Sequence, residues 1–231
     1  MPRLLVPVLC ALALVASACG DEDSDDSDSA APAQTQAEAG ATPSGGCPDA
    51  EQPAPRADGK ARRPTARLDP DKRYDLILDT SCGEIDIRLD QRASPRTAAS
   101  VAGLARAGFY DGTVFHRIVP DFVIQGGDPT ASGMGGPGYS TRDKPPADTA
   151  YLKGTVAMAK TQTEPPGTSG SQFYIVTGAD AGLPPDYALL GKVVGGLDVA
   201  EKIGRLGDPA SGGAGTPLKP VVIEQASVRG D

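Results

Sequence analysis

Residues Phe115–Pro129 read FHRIVPDFVIQGGDP, an apolar run that carries the chain's only histidine together with Arg117 and Gln125, and stops at Gly-Gly-Asp-Pro. A period of two puts Phe115, Arg117 and Val119 on one face of a strand and His116, Ile118 and Pro120 on the other. Arg117 therefore shares a face with apolar side chains. Arginine seldom sits in such a place unless it is paired or used, so the stretch reads as strand pairs presenting a cation for a purpose.

Outward from this stretch the pattern is of short strands. YDLILDT from Tyr74 and EIDIRLD after Ser81-Cys82-Gly83 alternate across a turn signal, predicting a β-hairpin. SPRTAASVAGLARAG predicts a helix with Ser94 at the N-cap, Pro95 at its first position, Ala98, Val101 and Leu104 on one face and Gly108 as its stop. The runs TVFHRIV, FVIQ, GTVAMA, SQFYIVT, ALLGKVV and PVVIEQASV follow, broken by Gly and Pro, and LDVAEKIGRLG predicts a second helix ending at Gly207. Many short strands and two helices, without strict βα alternation, favour an antiparallel barrel closed at its ends by helices.

The beginning of the chain differs in kind. Residues 1–18 hold Arg3, an apolar stretch Leu4–Val15 and small residues, the plan of a secretory signal peptide. The following Cys19 resembles the acylated cysteine of a bacterial lipobox, which predicts a lipid anchor there; plain signal cleavage is the alternative. Between Gly20 and Pro55 stand nine acidic residues and no Lys or Arg, whereas residues 56–231 hold 21 acidic and 21 basic side chains. Residues 19–70 thus read as a lipidated N-terminus and a disordered acidic linker with a span of about 40 Å, and residues 71–231 as the folded domain. A formally neutral domain argues against a nucleic-acid partner.

With Cys10 inside the signal and Cys19 assigned to lipid, Cys47 and Cys82 remain as a pair. In an oxidising compartment they would join, worth about 3–4 kcal/mol by the chain-entropy argument; the other reading is a buried Cys82 and a free Cys47. Neither has metal-site spacing. One histidine excludes a two-His metal centre, and no G-x-S-x-G holds a serine nucleophile. Gly133–Gly138 satisfies G-x-G-x-x-G, but no helix opens after it, so it reads as a tight surface loop rather than a dinucleotide site.

The order FHRIVPDFVIQGGDP, GMGGPGY, GTVAMAKTQTEPPGTSGSQFYIVT, LLGKVVGGLDVAEKI resembles the cyclophilin family of peptidyl-prolyl cis-trans isomerases in its bacterial exported form, from about Tyr74 to Val228. The resemblance implies a mainly β fold, a cyclophilin-like closed eight-stranded antiparallel barrel capped by two α-helices, with no metal or organic cofactor. It implies Arg117 as the catalytic arginine and Gln125 as its orienting partner and a hydrogen-bonding group for the substrate backbone. Phe122, Met158, Tyr174 and Leu183 would form the proline socket, and Ala159, Lys160 and Gln172 the neighbouring groove. Tyr187 would stand at the socket, where many members have His, and His116 would brace its neighbours or the substrate rim. Tyr174 replaces a frequent Phe and adds a hydroxyl that needs a partner. The expected partners are proline-containing polypeptides, and the expected state is an exported, membrane-anchored monomer that assists folding of exported proteins. A proline-binding or chaperone module with little turnover on the same fold is the alternative, and a tethered scaffold acting through its acidic leash is a third possibility.

Overall fold

The computed structural model describes residues 46–57 and 59–230; the signal, Cys19 and most of the acidic segment lie outside the described residues. The strands are β1 Tyr74–Thr80, β2 Gly83–Leu89, β3 Thr113–Val114, β4 Arg117–Val119, β5 Val123–Gly126, β6 Thr141–Arg142, β7 Thr155–Met158, β8 Thr168–Ser169, β9 Phe173–Val176, β10 Leu189–Gly195 and β11 Val222–Gly230, and the α-helices are α1 Pro95–Arg106 and α2 Leu197–Gly204. Nine strands form one antiparallel sheet in the order β3-β11-β1-β2-β10-β7-β9-β5-β4, and β6 pairs with β8 apart from it.

The two ends of that order, β3 and β4, are consecutive in sequence and separated only by Phe115 and His116. The sheet therefore curls until its edges meet in one interrupted strand, and an antiparallel bridge between Val114 and Asp128 spans the seam. Counting β3 and β4 as one broken strand gives eight, which reconciles the nine hydrogen-bonded segments with the expected eight-stranded barrel. Closure removes the exposed edges that would otherwise invite pairing with other chains.

The interruption also changes the reading of the opening stretch. Phe115 and Ile118, expected on opposite faces, both point into the barrel core, at 1% and 0% exposure. The chain leaves β11 after the Phe115 N–H bonds the Val221 carbonyl (3.0 Å) and joins β5 at Arg117, so the alternation slips by one residue between them. Alternation resumes cleanly beyond the break. Ile118, Ile124, Ile175 and Val156 are register partners across β4, β5, β9 and β7, and all are fully buried.

The hairpin β1–β2 forms as expected, with Leu76, Leu78, Ile85 and Ile87 at zero exposure in the core. Helix α1 buries Ala98, Val101, Ala102 and Leu104 and packs against β11. Ser94 is its N-cap residue but makes no capping hydrogen bond. The Thr97 N–H donates instead to Asp143 Oδ2 at 2.7 Å, so a carboxylate from a distant loop satisfies the open turn. Helix α2 ends at Gly204 instead of Gly207, and a 3₁₀ turn, Pro209–Ala214, follows it.

The domain boundary expected at residue 71 also moves. From Cys47 onward the described chain lies along the barrel as a strap. Cys47 and Cys82 are joined by a disulfide with their Cα atoms 4.6 Å apart, and both are in the core. The N–H groups of Arg56, Gly59 and Ala61 donate to the carbonyls of Pro129 (2.8 Å), Gly136 (3.1 Å) and Pro137 (3.2 Å). Ala61 and Leu68 pack against the core. Low hydropathy made this segment read as unstructured. Its order comes from the Cys47–Cys82 link, from Ala61 and Leu68 on the core, and from backbone hydrogen bonds to a glycine-rich loop, the last leaving no hydrophobic signature.

Candidate active site

A single cross-strand row builds the site. On the outer face of the sheet, Arg117, Gln125, Tyr174, Ala157 and Leu189 are successive register partners across β4, β5, β9, β7 and β10. Neighbouring strands lie about 4.8 Å apart, so side chains along this row touch. The turn before β5 supplies the next member: Pro120 and Asp121 (φ 55°) occupy the corner positions, the Phe122 N–H bonds the Val119 carbonyl at 3.2 Å, and Phe122 is brought back beside Arg117. The guanidinium carbon stands 5.8 Å from the centre of the Phe122 ring.

Arg117 is half-buried. Its Nε donates to the Gly213 carbonyl in the 3₁₀ turn (3.0 Å) and Nη1 to Gln125 Oε1 (3.4 Å). Gln125 Nε2 donates onward to Gln172 Oε1 (3.1 Å), and Gln172 Nε2 donates to the carbonyls of Gly133 (3.0 Å) and Gly135 (2.9 Å). The chain of donors runs in one direction only, because carbonyls at its end cannot donate. Both amides are thereby fixed in orientation, and Arg117 is held by an oxygen. Burial lowers the affinity of Arg117 for its proton, against an opposing influence from Tyr187, but a guanidinium remains charged. Two of its five N–H donors are occupied by these contacts, which leaves others to face an acceptor.

A hollow of about 250 Å³ opens beside Arg117, lined by Phe122, Val123, Gln125, Tyr174, Leu183 and Tyr187, with Ala159, Lys160 and Gln162 at its margin. Most of the expected residues therefore meet here. Met158 does not: it is fully buried in the barrel core, one position out of phase with the outward-facing Ala157. Val123 takes the place in the hollow that Met158 was expected to fill. Its signal was in the alternation, since Val123 and Gln125 are two apart on β5 and share a face.

The far wall is aromatic. Tyr174 and Tyr187 stack edge to face with centroids 5.7 Å apart, and Tyr151 contacts both rings. Tyr151 is a clamp: its hydroxyl donates to the Tyr187 carbonyl (2.7 Å) and accepts from the Tyr187 N–H (3.0 Å), and burial first of all pushes its phenol up to about 12. Tyr174 is buried, its phenol is raised further still by burial, and its hydroxyl has no hydrogen-bond partner among the described residues. Lys160 lies over the Tyr187 ring at 5.4 Å, and its ammonium donates to the carbonyls of Thr161 and Glu164, both at 3.1 Å.

His116 is not in the hollow. It sits under Gly133 at the seam, with both ring nitrogens buried and unpartnered among the described residues. Burial holds the imidazole below its ordinary value, Asp128 opposing and Arg117 reinforcing. It is a neutral brace.

The glycine-rich loop has a larger part than a surface turn. Gly133–Ser140 lines a second hollow of about 480 Å³ that shares Gln125, Ala159 and Lys160 with the first. Buried Asp128 ties the loop down by accepting from Thr130 N (2.7 Å), Gly133 N (2.6 Å) and Gly135 N (3.2 Å). Burial raises this carboxyl, and the hydrogen bonds from Thr130, Gly135 and Gly133 outweigh it and hold the group below its ordinary value. Glycine is required at 135, where a Cβ would come within 2.1 Å of Asp128 Oδ1.

The site thus sets an arginine, held by a one-way amide relay, beside a largely apolar hollow. Comparison with known proteins gives the family. Residues 75–228 match the family described as cyclophilin type peptidyl-prolyl cis-trans isomerase/CLD. Peptidyl-prolyl cis-trans isomerase ppi1 of Schizosaccharomyces pombe is 38% identical over 153 residues, covering 64% of this chain and 95% of that protein. The spliceosome-associated protein CWC27 homolog of Danio rerio is 38% identical over 159 residues, of which this chain covers 66% of its own length and only 32% of the relative's. A crystal structure of a Cryptosporidium parvum cyclophilin type peptidyl-prolyl cis-trans isomerase, obtained in the presence of the dipeptide Ala-Pro, superposes with a TM-score of 0.60 at 26% identity, covering 67% of this chain and 98% of that one. Half of the chain and more falls within one family model, and the chain belongs to the cyclophilin-type peptidyl-prolyl cis-trans isomerases.

Proposed function

We propose that Arg117 lowers the barrier to X-Pro rotation in exported polypeptides by donating hydrogen bonds to the amide as it twists. Rotation breaks amide resonance and faces a barrier of about 18–20 kcal/mol. In the twisted state the proline nitrogen keeps its lone pair and becomes a better acceptor than in either planar isomer. A donor fixed at that point favours the transition state over both ground states, which is the condition for catalysis. Shortening a process of tens of seconds to milliseconds is about 10⁴-fold, or about 5.5 kcal/mol, within reach of a charged donor at the edge of an apolar hollow.

The observation that carries this reading is the relay Gly133/Gly135–Gln172–Gln125–Arg117, which points guanidinium N–H groups at the hollow that Phe122, Val123 and Tyr174 line. Cis-trans exchange of an Ala-Pro peptide followed by NMR, with wild type and Arg117→Ala at catalytic concentration, tests it. Exchange that is accelerated by wild type and lost in the variant supports the mechanism. Peptide binding without acceleration would assign the groove to a proline-binding module.

The place of action belongs to the same proposal. The apolar stretch Leu4–Val15 followed by Cys19 supports export with lipid attachment at Cys19, and the joined Cys47 and Cys82 suit an oxidising compartment. The chain then serves as a tethered monomeric folding helper for proline-containing exported proteins. Intact mass of the exported protein with and without reductant reads both points: a diacylglyceryl increment on Cys19 and a 2 Da gain on reduction, about the mass of two hydrogens, are expected. A cleaved but unlipidated chain would sink the anchor, and an unchanged mass on reduction would sink the disulfide.

A further inference from the structure

A third hollow, of about 660 Å³, adjoins the second one through Ser140 and Glu164, which line both. The strap forms one of its walls, α1 and β6 the other. Four arginines line it: Arg63 and Arg67 from the strap, Arg96 from α1 and Arg142 from β6, against the single carboxylate of Glu164.

The charge in this hollow is unbalanced. Arg96 pairs with buried Asp143 at 3.8 Å. Glu164 spends Oε2 on its own loop, accepting from Thr161 N (2.7 Å) and Thr161 Oγ1 (3.0 Å). Arg63, Arg67 and Arg142 have no ion-pair partner among the described residues. Two of the three are nonetheless fixed. Arg63 donates to the Ser140 carbonyl at 2.7 Å and lies 5.0 Å over the Tyr139 ring, and Arg142 Nε donates to the Pro166 carbonyl at 3.0 Å. Guanidiniums anchored through one edge keep the other for bidentate contact with carboxylates, and fixing them beforehand reduces the entropy lost on binding.

The three hollows lie side by side along one face, neighbours sharing lining residues. The first shares Gln125, Ala159 and Lys160 with the second, and the second shares Ser140 and Glu164 with the third. We propose that this trough selects extended client segments bearing acidic side chains several residues from the isomerised proline, held by Arg63, Arg67 and Arg142. The proposal rests on the isomerase reading of the first hollow and adds to it a substrate class. Arg63 and Arg67 lie outside the residues that match the family, so the subsite is a property of this chain's own strap. The strap is ordered where it matters: at Gly138 (φ 82°) a Cβ would meet the Gly59 carbonyl oxygen at 2.3 Å, so strap and loop are in backbone contact just before the arginines.

The test compares the full exported chain on three Ala-Pro peptides that carry Glu-Glu-Glu, Gln-Gln-Gln or Lys-Lys-Lys, placed on either side of the proline. NMR exchange supplies kcat/KM, and fluorescence polarisation of labelled peptides supplies binding. The Glu peptide with its acids on one side of the proline is expected to be preferred about fivefold over the Gln peptide, through KM, and the preference should shrink in 0.5 M salt, where the screening length is about 4–5 Å. Arg67→Glu, a residue with no described side-chain contact, is expected to abolish that preference and leave the Gln peptide unchanged; Arg142→Gln serves as a second variant. Equal kcat/KM for all three peptides, or a preference that survives both variants, overturns the proposal. A preference that emerges only when Asp21, Asp23, Asp25, Asp26 and Asp28 are replaced by Asn would assign the hollow to the chain's own acidic segment and overturn it as well. Should no peptide be turned over, the isomerase reading fails by itself, while the polarisation arm still decides whether Glu is selected.

Discussion

The two walls of the proline hollow are built by opposite means. On the Arg117 side each polar group is committed: guanidinium to Gln125, Gln125 to Gln172, Gln172 to two loop carbonyls, and the loop to Asp128. On the other side the rings of Tyr174 and Tyr187 meet edge to face, Tyr151 clamps the Tyr187 backbone from behind, and Tyr174 keeps a buried hydroxyl without a described partner. Directional bonds fix an angle to within a few tens of degrees, whereas edge-to-face rings tolerate sliding. The Arg117 wall is wired from side chain to side chain, whereas the rings of Tyr174 and Tyr187 that face the hollow are held by packing, with hydrogen bonds only behind them at Tyr151.

Breaking the wired wall at its end point gives the largest expected effect. Arg117→Ala should lower kcat/KM about 10²–10³-fold with little change in thermal stability, the range found on removing one preorganised donor; a loss below fivefold in the exchange assay would place catalysis elsewhere. Cutting the relay one step back, Gln172→Leu should reduce kcat/KM about tenfold through kcat, with KM for Ala-Pro peptides nearly unchanged, since Arg117 keeps its charge and loses its aim. A loss that falls on KM with kcat unchanged would argue for a packing role instead.

The packed wall should respond in the other direction. Tyr174→Phe removes a buried hydroxyl with no described partner, so stability is expected to rise by about 1 kcal/mol in urea unfolding, with turnover within twofold of wild type. A destabilised Tyr174→Phe would mean that the hydroxyl is bonded after all.

The smallest effect lies at the seam between the walls. His116 is neutral in the fold because burial lowers its proton affinity relative to the unfolded chain. The unfolded state therefore binds more protons just below its value of about 6.5, and stability must decline as pH falls from there toward the lowered folded value. His116→Asn should flatten that slope in unfolding titrations below about pH 6.5. Asp128 has the same sign at lower pH: its carboxyl is depressed, so its contribution is complete above about 4 and is lost as pH falls through the folded value.

Much of this contrast was legible in the residues, and the failures share a cause. The strand runs and both helices followed from periodicity and capping residues, whereas the meeting of Arg117, Phe122, Gln125, Gln172, Tyr174 and Tyr187 was implied only by the resemblance to a family. Met158 was placed in the socket by resemblance, and the apolar pattern could not correct it because such a residue on a strand reads the same facing in or out; pairing to β9 shows that Ala157, not Met158, faces Tyr174. The slip at Phe115–His116 needs knowledge of which strand lies next to β3, a long-range fact. The strap escaped notice because backbone-to-backbone bonds carry no residue signature, and for the same reason Gly133–Gly138 read as a plain turn although its carbonyls end the relay.

The interrupted strand has a consequence for the timing of synthesis. Arg117 lies at the joint where the middle and the last-made parts of the barrel meet: β3 pairs with Val222 and Ile223, the Ile118 N–H bonds Gly215 and Arg117 Nε bonds Gly213. A nascent chain that has emerged only as far as β10 holds most of the residues of the site, yet it lacks the final stave that closes the seam. Completion of the site therefore depends on residues 213–223, made almost a hundred residues after Arg117 itself.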